Sequence, residues 1–192
     1  MHEGEERARY KRIIRAADAL FRKSGFRGVT MEAVARDAAV AKATLYSYFR
    51  DKDALFVAVS SRMAEILRRT FADAIGADGK TLDQRVADAI VGRHRMGWEY
   101  ARSPHGQELT SHKHQLAGDT FAQVSAAMLE ILEQALRADP KLEPVAAQLA
   151  RALLYGSGEL VARSDSLAAL EADVAAFVAT HLAGARVLAR RS

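Results

Sequence analysis

Apolar residues recur with a helical period along the whole of this chain, and no segment alternates as a strand would. Ile13, Ile14, Ala17, Leu20 and Phe21 fall at i, i+1, i+4, i+7 and i+8, one face of a helix that Gly25 can end in the left-handed conformation. Thr30 precedes MEAVARDAAV, in which Met31, Val34, Ala35 and Ala38 share a face, and a Thr side chain can cap that helix's free amides. A third short helix covers about residues 42–48. So short a gap between the second and third suits two short helices crossing steeply, not a hairpin of long ones. Beyond residue 52 the periodic segments lengthen, to about 53–75, 82–102, 105–116, 119–138, 143–163 and 166–189, parted by GADGK, RSPHG, LAGD, ADPKLEP and RSDS. The expectation is an all-α protein of about nine helices, with a three-helix helix-turn-helix domain over residues 1–52 and a long-helix domain over 53–192.

Composition narrows the function classes. Nearly half of the 192 residues are apolar, enough to bury a good core, and the absence of cysteine excludes disulfides, thiolate metal sites and thiol catalysis. No apolar run of about 18 residues stands out as a membrane span, and MHEGEERARYKR is charged where a signal peptide is apolar. A cytoplasmic protein with no membrane partner is expected. There is no Gly-rich phosphate loop, no nucleophile with a local base signature and no pair of metal ligands at helical spacing, so neither enzyme activity nor a cofactor is expected. The formal charge of +4 has a location: residues 1–60 hold 12 Lys and Arg against 8 Asp and Glu, while the remaining residues hold 16 of each. A nucleic-acid reader with a neutral sensing domain shows this distribution, and so does a solvated basic face with no partner.

The stretch AKATLYSYFRDKDAL, residues 41–55, sets rings beside cations. On a helix starting near Lys42, Leu45 and Phe49 can seal the underside against Leu20, Phe21 and Val34, which leaves Ala41, Lys42, Thr44, Ser47 and Tyr48 outward. Small side chains at Ala41 and Ala43 allow close approach to base edges, and Thr44 offers a methyl for thymine or a hydroxyl for a base edge. Tyrosine hydroxyls and lysine amines suit phosphate oxygens. For a single tyrosine a packing role is the commoner one, and a single lysine is commonly just solvated. The joint pattern is what points to a polyanion.

Residues 13–56, IIRAADALFRKSGFRGVTMEAVARDAAVAKATLYSYFRDKDALF, closely resemble the N-terminal DNA-binding domain of the TetR (tetracycline-repressor-like) family of bacterial transcription regulators. The resemblance implies an all-helical homodimer that binds a double-stranded DNA operator through its N-terminal domains and a small-molecule inducer through its C-terminal domains. It places Thr30 at a helix cap facing a phosphate, Lys42, Ala43, Thr44 and Tyr46 on the reading helix, Tyr48 on a phosphate, and Lys52 on another at the start of the connecting helix. Two departures stand out. Ala39 takes the turn position where the family usually has Gly, a cost of about 1 kcal/mol if φ is positive. Ala41 replaces a common Ser cap, which forfeits about 1 kcal/mol and one phosphate donor.

The remaining residues must supply the rest. Leu149, Leu153, Gly156, Leu170, Val174, Phe177 and Val178 form a wide apolar face that fits a dimeric four-helix bundle or, equally in pattern, packing within one chain. Met96, Trp98, Tyr100, His112, Phe121, Met128 and Tyr155 are the candidates to line a ligand cavity, although core packing explains large side chains as well. His105 and His112 lie two turns apart, about 10.5 Å, too far to chelate one ion, so no metal is expected. Three readings remain open: a specific ligand-responsive repressor, a ligand-binding module of the same fold that has lost operator binding, and a sequence-independent architectural DNA binder.

Overall fold

The computed structural model describes residues 2–189, so the outer ends of the two expected domains, at 1 and 190–192, lie outside the described residues. Among the described residues the elements are α1 (His2–Gly28), α2 (Met31–Asp37), α3 (Lys42–Tyr48), α4 (Lys52–Ile75), α5 (Leu82–Ala101), α6 (Gly106–Arg137), a 3-10 turn (Glu143–Val145), α7 (Ala146–Gly156), α8 (Gly158–Arg163) and α9 (Leu167–Leu188). No strand is present among them, and the fold is all-α as expected.

Three local differences from the sequence reading have physical causes. Gly25 ends the regular part of α1 at φ 70 and ψ 171, which is a glycine-only conformation and not the left-handed helical one. The segments expected at 105–116 and 119–138 are one helix, α6, bent where Ala117 departs to φ −132 and ψ 17. Gly118 beside it weakens the helix without stopping it, so LAGD makes a kink and no loop. The segment expected at 143–163 is instead divided at Ser157, where Gly156 and Gly158 on either side lower helix propensity.

The chain packs as two compact units: residues 1–64 with 100–121, and residues 65–99 with 122–192. Helices α4, α5 and α6 each contribute residues to both. In the first unit one apolar cluster joins Ile13, Ala17 and Phe21 of α1, Val34 of α2, Leu45 of α3, Leu55 and Phe56 of α4, and Tyr100 and Leu109 of the later segment. Two polar ties hold the α1–α2 turn to its surroundings. Glu108 Oε1 accepts from the Arg27 backbone N–H at 2.9 Å, and Lys52 Nζ donates to the carbonyls of Phe26 and Val29 at 2.8 and 3.0 Å.

In the second unit α7 packs on α9, burying Leu149, Leu153, Leu170, Val174, Val178 and Leu182. Arg186 near the end of α9 donates both terminal nitrogens to the Asp83 carboxylate, at 2.8 and 2.6 Å, and its Nε to Asp139 at 3.1 Å. This fork pins the start of α5 and the turn after α6 to one side chain. Buried His94 donates to Ser157 Oγ at 2.7 Å, which donates in turn to the Leu153 carbonyl at 2.7 Å. Burial, reinforced by neighbouring Arg93, lowers the His94 pKa from 6.5 to about 4 and keeps the ring neutral. One correction concerns membranes: α9 is long and apolar enough to cross one by length and composition, contrary to the reading that no segment is. Leu170, Val174, Val178 and Leu182 form its one buried face, and the rest of its apolar window is largely uncovered, 22% of that window being buried.

Candidate nucleic-acid interface

The geometry of the short helices follows from two turns. Helix α2 starts at Thr30, whose Oγ1 accepts from the Ala33 N–H at 3.2 Å, and ends in a Schellman arrangement in which Val40 N donates to Ala35 O at 3.0 Å and Ala39 N to Arg36 O at 3.1 Å. Ala39 sits at the position this motif reserves for glycine, with φ 52. Helix α3 then starts at Ala41, which makes no side-chain cap bond. Both departures read from the sequence therefore have the local geometry that makes them costly. Asp51 caps α4 in the usual way, its Oδ1 accepting from Ala54 N at 2.7 Å.

On α3, Leu45 and Phe49 are buried in the cluster, so the other face must turn outward. Lys42, Ala43, Tyr46 and Ser47 are exposed, with Thr44 and Tyr48 half-buried at the flank. Lys42 pairs with Glu32 of α2; that bond raises the lysine's pKa and lowers the carboxylate's. Its ammonium also lies 5.8 Å from the centre of the Tyr46 ring. The Ser47 hydroxyl donates to Thr44 O at 2.7 Å and keeps its lone pairs. Tyr48 is held by Tyr10 of α1, ring centres 6.2 Å apart. Lys52 lies over the Phe26 ring at 4.6 Å as well as on two carbonyls, so a single N–H of its ammonium is left for a phosphate. Thr30 is exposed and, with its oxygen accepting, still has a hydroxyl proton to give.

An open groove of about 530 Å³ lies between the Thr44, Ser47 and Tyr48 flank of α3 and Glu5, Glu6 and Arg9 of α1. Those three α1 residues and Ser47 were not among the expected site residues. The apolar period of α1 starts only at Ile13, so its earlier turns are legible solely from charge, Glu5 and Arg9 being spaced i,i+4.

The other expected sites are dispersed. Met96, Trp98, Met128 and Tyr155 belong to the second unit, whereas Tyr100, His112 and Phe121 belong to the first. His112 stacks on Phe26 with ring centres 4.2 Å apart, and its Nδ1 lies 2.9 Å from Glu108 O. Tyr100 is buried near Arg22 and Lys113, and burial pushes its pKa up to about 12. Met128 is buried and Tyr155 is 53% exposed. Of the residues expected at a dimer interface, Leu149, Leu153, Leu170, Val174 and Val178 are buried within the single chain, while Gly156 is exposed and Phe177 half-buried. A Cβ at Gly156 would stand 3.3 Å from the Phe177 ring, so these two helices approach closely there.

Against known proteins, residues 13–59 match the family model described as bacterial regulatory proteins, tetR family. No curated protein sequence matches the chain. Among solved structures, a TetR-like transcriptional regulator from Rhodococcus sp. RHA1 is similar with TM-score 0.61 at 24% identity, over 92% of this chain and 96% of that one. FadR from Bacillus subtilis, solved in complex with stearoyl-CoA, gives TM-score 0.62 at 20% identity over 88% and 97%. The fatty acid degradation regulator FadR from Bacillus halodurans gives 0.59 at 16% over 88% and 94%.

Proposed function

We infer that this chain, a DNA-binding transcriptional regulator whose first third is a TetR-family domain, acts as a homodimeric repressor that leaves its operator when a small apolar or amphipathic ligand binds the helical part beyond about residue 52. The outward face of α3 carries this reading. Leu45 and Phe49 fix the helix from below, and Lys42, Ala43, Thr44, Tyr46 and Ser47 are left presenting small and hydrogen-bonding groups at major-groove scale. Thr30, Tyr48 and Lys52 flank that face as phosphate donors. Because a similar fold was crystallised with stearoyl-CoA, a long-chain acyl-CoA is the first inducer to try. The second reading, a module that keeps the fold and no longer binds an operator, draws its support from Ala39 and Ala41, which both weaken the α2–α3 turn.

Selection of bound duplexes from a random library near physiological salt tests the reading. A palindromic motif, with half-sites one helical turn apart, is expected. Thr44→Val should alter base preference, whereas Tyr48→Phe should weaken all sequences alike. No enrichment, with binding that vanishes as salt rises, would turn the assignment to the second reading.

A further inference from the structure

We propose that the first turns of α1 are part of the base-reading surface, and that a carboxylate of Glu5 or Glu6 accepts a hydrogen bond from a cytosine amino group beside the base edges read by α3. This rests on the operator-binding reading above. Glu5, Glu6 and Arg9 fall at i, i+1 and i+4, one face of α1, and that face and the Thr44, Ser47 and Tyr48 flank of α3 line the same open groove of about 530 Å³. A duplex docked on α3 meets both walls. Two carboxylates against one guanidinium give this lining a formal charge of −1, in a domain whose excess charge is positive. A phosphate is the wrong occupant for it. What an ionised carboxylate can take from DNA is a donor, since it is acceptor-only. The donors in the major groove are the amino groups of cytosine and adenine, and a carboxylate matches the lone cytosine N4 amine, whereas adenine's adjacent donor and acceptor suit a carboxamide. Both carboxylates are exposed and so open to an incoming partner. Arg9, one turn beyond Glu5, supplies the cation that keeps this acceptor wall compatible with the phosphates on either side.

The test compares the full chain with Glu5→Gln, Glu6→Gln and the double variant, each purified through a C-terminal tag so that α1 is unaltered. The readouts are the motif selected from random duplexes and the affinities for single-base operator variants. Both substitutions are at exposed positions, and matched melting curves confirm folding of all three variants. The wild-type chain should prefer cytosine roughly tenfold at one symmetric position of each half-site, and the variant at the responsible residue should lose that preference or move it to adenine, with every other position unchanged. An unchanged motif, with affinity for all sequences either unaltered or uniformly raised, would overturn the proposal, because the carboxylates would then only repel. Absence of any motif for the wild-type chain is a different result: it removes the operator-binding reading itself.

Discussion

Ala39 is the one non-glycine residue with a positive φ among the described residues, and it stands where a Schellman turn ordinarily has glycine. Removing its Cβ relieves the strain, so Ala39→Gly should raise stability by about 1 kcal/mol despite the added freedom of the unfolded chain. Ala41→Ser should add about 1 kcal/mol by capping α3, and urea unfolding of the two variants reads both. A lower midpoint for Ala39→Gly would mean that the turn is held otherwise than at φ 52. His94 makes a prediction about pH. Its pKa falls from 6.5 to about 4 on folding, so above pH 6.5 neither state is protonated and its contribution is flat. Between those two values the unfolded chain takes a proton that the folded chain refuses, and stability drops as pH falls, by about 3 kcal/mol at most. His94→Gln should flatten that slope in denaturation curves taken from pH 7 to pH 4, whatever it does to the absolute stability. Persistence of the full slope in the variant would assign the acid sensitivity to other groups.

At the scale of elements, what was legible in the sequence is the existence of helices and the inward side of each. Leu45 and Phe49 could be placed under α3 because their spacing leaves one face apolar, and they are buried there. The same logic does not say what a face packs against. Leu149, Leu153, Leu170 and Val174 satisfy each other within one chain, and an apolar period is blind to whether its partner is the same chain or a second copy. Nor does periodicity report a bend: α6 continues past Ala117 because Gly118 weakens a helix without the cap or proline needed to end it. The α1–α2 turn shows how tightly such elements are tied. A Cβ at Gly25 would lie 2.3 Å from Glu108 Oε2 and 2.8 Å from His105 Nδ1, at φ 70 where a side chain is already strained. Gly25→Ala should therefore cost about 2–4 kcal/mol. Trimming Glu108 as well, as Gly25→Ala/Glu108→Ala, should restore less than the Ala substitution removed, because the backbone strain stays and the bond to Arg27 N is lost. Full recovery in the double variant, measured by thermal unfolding, would mean that collision alone sets the cost.

For the whole molecule, the division of labour is written in charge: the entire formal excess of +4 falls in the first 60 residues, and the rest is neutral. A basic first third and a neutral remainder are thereby legible in the sequence, whereas the residues expected around a ligand are dispersed, since Met96, Trp98 and Met128 fall in one compact unit and Tyr100, His112 and Phe121 in the other. Convergence of side chains on a cavity is a property of three dimensions that no spacing rule encodes. Helices α4, α5 and α6 have residues in both units, and α4, which follows α3 after three residues, is the one that continues directly from the short helices. If a ligand shifts α4, the two reading helices of a dimer move apart or together, away from the 34–36 Å, about one helical turn, that successive major grooves demand. The absence of cysteine makes this measurable, because Asp37→Cys, at an exposed position ending α2, gives one spin-label site per protomer. With operator bound, a single narrow label-to-label distance is expected. If the proposed long-chain acyl-CoA is the inducer, adding it should displace that distance by several ångströms and release the duplex over the same concentration range, since a ligand moves an equilibrium only as far as it prefers one state. An identical distance in the free, operator-bound and ligand-bound states, with release still occurring, would rule out a change of half-site spacing as the means of induction.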